Sequence, residues 1–218
     1  SSSSAASSSA SGSATTTGSQ ASTTIGANVA MAQAGLATVT GHPGPFPVTQ
    51  ALSKPLPAGT KFVYLEASDP IGALFAQLLK PAVTAIGGTF VAIPAGETAT
   101  SAQAAAATAI ADHPAVVLIP AFLPSEFGGK LATLKSEGAK IVGAGMVGWK
   151  QYGINWCVGC EVWTTEEGRI LADWAVVQKG ADTNAVFYTV PELGFTASMW
   201  NGFKSQMATL CPKCAIRN

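Results

Sequence analysis

Charge is what this sequence has least of. Asp, Glu, Lys and Arg make up 11% of its 218 residues, and twelve basic side chains cancel twelve acidic ones. A typical soluble domain carries about a quarter. Without a basic excess there is no electrostatic footprint for phosphate, which argues against nucleic acid as a partner and against a polybasic membrane-surface role. Histidine is rarer still, at two. His42 lies in an irregular, proline-rich stretch and reads as solvated. His113 precedes Pro114 at a helix end and reads as a cap complementing the helix dipole. Long apolar runs are lacking too. The longest, roughly Ala115 to Leu123, contains Pro120 and falls well short of the ~20 residues needed to span a bilayer. G-x-S-x-G, H-E-x-x-H and P-loop motifs are all absent, so no nucleophile–base pair or metalloprotease pattern is visible. Neither a catalytic set, a metal site nor a cofactor is expected.

What is present begins with a bias. Ser1 to Thr24 is built almost wholly from Ser, Ala, Thr and Gly, with no charge and no large apolar side chain. Such a segment cannot bury enough surface to offset its ordering entropy and is expected to be a flexible tether. The chain opens at Ser1 without Met or a charged leader, and reads as a mature or trimmed form. Residues 25–60 follow as a lead helix over Ala27 to Thr38 and a linker. Three prolines between Gly41 and Pro47 forbid a helix or a central strand there.

From Lys61 the pattern becomes regular, and 218 residues suffice for one large α/β domain or two small lobes. Phe62 to Glu66 reads as a strand. Asp69-Pro70 supplies an N-cap and a proline at the first helical position. Ile71, Leu74, Phe75, Leu78, Leu79, Ala82, Val83 and Ile86 recur at helical spacing, with Pro81 predicting a kink. Thr89 to Ile93, Ala115 to Ile119 and Lys140 to Val142 are further strands. They alternate with an Ala-rich helix from Ser101 to Ala111 and one capped by Ser125. After an irregular stretch, Trp149 to Trp163, a capping box at Thr164 to Glu167 opens a helix burying Ile170, Leu171 and Trp174. Ala185 to Val190, a helix striped by Met199, Trp200, Phe203, Met207 and Leu210, and Cys214 to Arg217 complete the series. Alternating strands and helices predict an α/β fold, a parallel sheet sandwiched by helices. We divide it into a first lobe at residues 61–148, a crossover at 149–163 and a second lobe at 164–218.

In open parallel sheets ligands bind beyond the carboxyl ends of the strands. The loops there offer Ser68, Asp69, Glu97, Phe122, Met146, Trp149, Glu192 and Phe195 as ligand-binding candidates. Aromatic faces with a few carboxylates suit a small organic ligand. The run Gly143 to Gly148 matches G-x-G-x-x-G. That fingerprint requires a helix opening directly after it, and Trp149 to Gly153 shows no helical stripe, so we read no nucleotide site.

Two C-x-x-C pairs, Cys157/Cys160 and Cys211/Cys214, could make a Cys₄ zinc site, a redox pair or disulfides. Zinc would need two distant pairs in one sphere. A redox thiol needs a helix start, whereas Cys211 follows a helix. In an exported protein disulfides are the default, and of three possible pairings we expect the two local ones.

Several stretches taken together resemble the type I periplasmic-binding-protein fold. They are Ala58 to Leu65, the helix ending Ala85-Ile86-Gly87-Gly88, Val116 to Pro120, Leu134 to Val142, and Asn201 to Phe203 ahead of Leu210-Cys211-Pro212. The Ser-rich stalk and the C-P-x-C look like the sugar-type solute-binding lipoproteins of ABC importers, in the form common among actinobacteria. The resemblance covers roughly Pro55 to the end and implies a first lobe that is complete and a second that is partial. It also implies a small-molecule ligand, an ABC permease as partner, no catalysis, and an extracellular or cell-surface location through a lipid anchor. Sugar binders of that type often carry aromatics where this chain has Ile71-Gly72. They often place an Asp in the slot of Phe122 or Leu123, and an Arg near Ala197. These departures shift the expected ligand from sugar toward something less polar, such as an aromatic molecule. The competing readings are a ligand-sensing domain for a membrane signalling partner, and a nucleotide- or redox-dependent enzyme.

Overall fold

The computed structural model describes residues 28–45, 48–51 and 53–218; the tether expected at Ser1 to Thr24 lies outside them. After a helix over residues 28–37 (α1), the elements alternate. They run β1 Lys61–Ala67, α2 Pro70–Ala85, β2 Thr89–Gly96, α3 Ala99–Ala111, β3 Val116–Pro120, α4 Lys130–Ser136 and β4 Lys140–Ala144. Then come β5 Trp156–Val158, α5 Glu161–Lys179, β6 Asn184–Val186, α6 Phe195–Leu210 and β7 Ala215–Arg217. Five strands form one sheet in the order β2-β1-β3-β4-β5, and β6 and β7 form a second. Every pairing is parallel, from Lys61 opposite Thr89 to Val186 opposite Arg217.

Side-chain alternation along the strands gives the large sheet two different faces. Val63, Leu65, Val117, Ile119 and Ile141 point to one side, into a core with Ala102, Ala105, Ala106 and Ala109 of α3 and Leu131 and Leu134 of α4. The alanines let α3 lie close to the sheet, and Ala is the strongest helix former. Thr98 and Ser101 close a reciprocal capping box that starts the helix. The other face carries Tyr64, whose hydroxyl donates to the Gly72 carbonyl of α2 at 3.2 Å. Gly72 is needed there, since a methyl would overlap the Ala67 carbonyl.

A second core joins α5 to α6 and gathers Ala172, Val176, Phe203, Met207 and Leu210. Ala32 of α1 is fully buried in it, and Asn28 Nδ2 donates to the Leu210 carbonyl at 2.6 Å. The lead helix thus sits on the second core, far along the chain from its own sequence neighbours. Cys157 pairs with Cys160, and Cys211 with Cys214, the two local disulfides expected.

Several local expectations change. The stretch 149–163 is not irregular: it holds a 3-10 turn at Trp149–Tyr152, strand β5 and the first residues of α5. No capping box forms at Thr164, because α5 begins three residues earlier, and the Thr164 hydroxyl donates to the Glu161 carbonyl from inside the helix. Ser125 caps no helix either; it lies within a 3-10 turn, Pro124–Phe127. Helix α2 runs through Pro81 to Ala85. His113 turns its Nδ1 toward Glu137 Oε2 at 3.3 Å.

The largest change concerns which faces are buried. Ile71, Leu74, Phe75 and Leu78 of α2 are exposed, as are Leu171 and Trp174 of α5. In α2 only Gly72 and Val83 are buried. In α5 the buried face is Thr164, Gly168, Ala172, Asp173 and Val176. Helix α6 makes a close crossing that accepts small residues, so the bulky stripe of α5 turns outward.

Candidate functional site

The carboxyl ends of β1, β2 and β3 open onto a cleft of about 430 Å³. Each strand contributes its last residue and the loop after it: Ala67 and Asp69 at the end of β1, Gly96 and Glu97 at the end of β2, and Pro120, Ala121 and Phe122 at the end of β3. Glu126 closes one side. The opposite wall comes from the loop between β6 and α6, through Val190, Glu192 and Leu193. The cleft therefore lies between the two sheets, at the edge where parallel strands hand over to helices, and its volume suits a small organic molecule.

The backbone shapes this rim. Ala121 has φ 48°, a left-handed conformation uncommon for a residue with a side chain. Its amide donates to the Ala144 carbonyl and the Phe122 amide donates back to Pro120, both at 2.6 Å. This tight turn ends β3 and brings Phe122 into the cleft wall. Phe122 is 6% exposed and meets Phe127 edge-on with ring centroids 5.5 Å apart, so it is both core and lining.

Two of the rim carboxylates hold backbone. Asp69 Oδ1 accepts from the Gly72 amide at 2.7 Å and caps α2. Glu126 Oε2 accepts from the Leu123 amide at 3.1 Å. Glu97 and Glu192 are exposed and enter no hydrogen bond or ion pair with the described residues. Behind the rim, burial first, then the charges of Glu66 and Asp69, push the Tyr64 hydroxyl up to about 12.

Of the eight candidate ligand-binding residues, the cleft brings together Asp69, Glu97, Phe122 and Glu192. Ser68 is exposed beside it. Met146 is buried in the first core, with its amide donating to Cys160 Sγ at 3.2 Å. Trp149 packs against that core, and Lys150 Nζ lies 5.5 Å from its ring centroid. Phe195, at the start of α6, approaches Gly145 and does not line the cleft. Glu126 and Val190 were not anticipated. Glu126 could have been found from Pro124-Ser125-Glu126, an acidic residue in the first turn after a proline. Val190 was read as the last residue of a strand, and the strand ends instead at Val186.

No protein-family model matches this chain, and no curated protein sequence matches it. Solved structures do match in shape. A periplasmic ribose ABC transporter structure from Conexibacter woesei has a TM-score of 0.64 at 14% identity, covering 74% of this chain and 54% of that one. An ABC transporter solute-binding protein from Mycobacterium smegmatis with bound glycerol has a TM-score of 0.63 at 17% identity, covering 73% and 55%. A protein assigned to the LacI transcriptional regulators from Bacteroides fragilis has a TM-score of 0.61 at 15% identity, covering 73% and 58%. The fold is thus of the type I periplasmic-binding-protein kind, and the chain spans little more than half the length of these structures. Among the described residues no helix is long and apolar enough to cross a membrane.

Proposed function

We propose that this chain is an extracytoplasmic solute-binding protein that captures a small organic molecule for an ABC permease, without transforming it. One observation carries the reading. The cleft is built from loops of both units, with β1, β2 and β3 on one side and the β6–α6 loop on the other. A ligand seated there touches both units, and closure of one on the other is the expected capture step. In this reading residues 61–148 form the first lobe, 149–163 the crossover and 164–218 the start of the second. Ser1 to Thr24 serves as a stalk holding the protein at the cell surface through a lipid anchor. The solute-binding proteins that share the fold support the transport role. The regulator that shares it supports a second reading, a ligand-sensing domain with the same cleft.

The test is a thermal-shift screen of the purified chain against sugars, polyols, amino acids, amines and aromatic acids. At least one class raises Tm in a dose-dependent manner. A uniformly flat response overturns the reading. Co-purification of the chain with a permease, rather than with a signalling protein, separates transport from sensing.

A further inference from the structure

The cleft is defined by its walls, and its side chains then say what charge it accepts. Asp69, Glu97, Glu126 and Glu192 line it, four of the twelve acidic residues in a chain of zero net charge. Among the described residues, no Lys, Arg or His lines the cleft. The basic residues of the large sheet lie at its other edge: Lys61 and Lys140 are the first residues of β1 and β4. Lys61 Nζ is already engaged there by Asp112, at 3.3 Å from Oδ1 and 2.7 Å from the carbonyl. At that edge the basic side chains of Lys61 and His113 are matched by Asp112 and Glu137, whereas the lining of the cleft is acidic without a basic counterpart.

Helix N-termini at such an edge ordinarily favour anions, because their free amides point at the ligand. Here one amide at each of three such turns is already taken by the protein itself. The Gly72 amide donates to Asp69, the Leu123 amide to Glu126, and the Ser101 amide to Thr98 Oγ1 at 3.2 Å. An anion would meet four acidic side chains and no cationic one. A divalent metal is no better served: among the described residues, no three His, Cys, Asp or Glu side chains converge closely enough to hold one. The carboxylates instead share the cleft walls with apolar Ala67, Phe122, Val190 and Leu193. Separated negative charges over an apolar surface match a molecule with an apolar body and an ammonium group.

We propose that the cleft selects small organic cations, amines carrying an alkyl or aryl body, with Glu97 and Glu192 as the charge-recognising residues. The proposal rests on the solute-capture reading and names its ligand class. Electrostatics here discriminate between ligands: a neutral twin keeps the apolar contacts and loses the charge attraction.

The experiment measures binding to the 218-residue chain by calorimetry and thermal shift with matched pairs. The pairs are tyramine against 4-ethylphenol and putrescine against 1,4-butanediol, with xylitol and succinate as neutral and anionic references. An ammonium compound should bind on the order of tenfold more tightly than its neutral twin, and less tightly as salt is raised. Glu97→Gln and Glu192→Gln should each weaken the amine about three- to fivefold, as expected of partly screened pairs, and leave the Tm of the unliganded chain unchanged. A neutral twin that binds as tightly, or binding of xylitol or succinate with none of the amines, overturns the cation proposal and leaves solute capture standing. Binding by no compound of any class overturns both.

Discussion

Gly168 of α5 and Gly202 of α6 make room for each other's helix. A methyl on Gly168 would overlap the Met199 carbonyl of α6, and a methyl on Gly202 would overlap the Thr165 carbonyl of α5. The relationship is reciprocal, so neither helix can withdraw from one contact without loosening the other. This crossing joins the second core, and α6 carries at its N-terminal end the loop that supplies Glu192 to the cleft.

Gly168→Ala and Gly202→Ala are each expected to destabilise the chain by about 1–3 kcal/mol, because the obstructing atoms are backbone and the helices must part. The gain of roughly 1 kcal/mol in helix propensity offsets only part of this. Gly129, with nothing within 4 Å of an added methyl, is the control: Gly129→Ala should leave stability within about 0.5 kcal/mol. Urea unfolding midpoints read all three, and unchanged midpoints for both helix variants would refute the close crossing.

Asp173 should make stability fall with rising pH. It is 4% exposed, and burial raises its carboxyl above the ordinary Asp value, with the Gln206 hydrogen bond and the Arg169 charge lowering it and the Glu166 charge raising it. A raised folded-state pKa means the folded chain holds the proton more tightly than the unfolded one. Its contribution is therefore present at low pH and lost as pH rises from the unfolded value through the raised folded one. Asp173→Asn keeps an oxygen for the Gln206 amide, which now donates at 2.7 Å, and removes the charge. Its Tm should exceed that of the parent by a few degrees at neutral pH and match it in acid. A parallel pair of Tm–pH curves would count against this.

Tyr64 supplies an alkaline counterpart. Its hydroxyl is displaced upward to about 12, so the folded state binds this proton over a range where the unfolded chain has released it. That part of the stability is intact below about pH 10, the ordinary tyrosine value, and lost as pH climbs toward 12. Tyr64→Phe should remove this dependence and cost about 1 kcal/mol at neutral pH through the lost bond to the Gly72 carbonyl. Ultraviolet titration should show one tyrosine fewer ionising in the ordinary range in the parent than after unfolding.

The outer face of α5 and the edge of β6 should drive self-association. Trp163, Trp174, Val186 and Tyr188 are 67%, 56%, 62% and 86% exposed, and Leu171, Trp174, Val186 and Tyr188 line one apolar groove. Apolar surface beside an unpaired strand edge promotes association between copies. Light scattering should show concentration-dependent growth that the double substitution Val186→Lys, Tyr188→Lys suppresses. Equal scattering by parent and variant would exclude this face.

How much of this was legible in the chain depends on the range of the interactions. The Asp69-Pro70 start of α2, the Ala-rich α3 and the continuous apolar β3 follow from neighbours in sequence, and the structure keeps all three. Strand β5 was hidden because Trp156-Cys157-Val158 is too short to show alternation and exists through pairing with β4. The core face of α5 was misread for a different reason. Bulk at Leu171 and Trp174 signals burial in isolation, whereas a close helix crossing selects Gly168 and Ala172. In the cleft, Asp69, Glu97, Phe122 and Glu192 could be named because loops after strands are countable from the sequence. Met146 has the same loop address and points inward instead, against Cys160, which no local pattern announces.

By itself, then, the sequence determined the alternation of strands and helices, the parallel sense of the sheet that this alternation forces, and the local disulfide pairs. Those properties depend on hydrogen bonding, capping and loop lengths within a few residues. Only the tertiary structure decided which face of each helix is buried, that α1 lies on the second core, and that Glu126 joins Asp69, Glu97 and Glu192 in one cleft. These depend on which surfaces meet across more than a hundred residues, and backbone-to-backbone contact at two glycines outweighs the hydrophobic bulk of their neighbours.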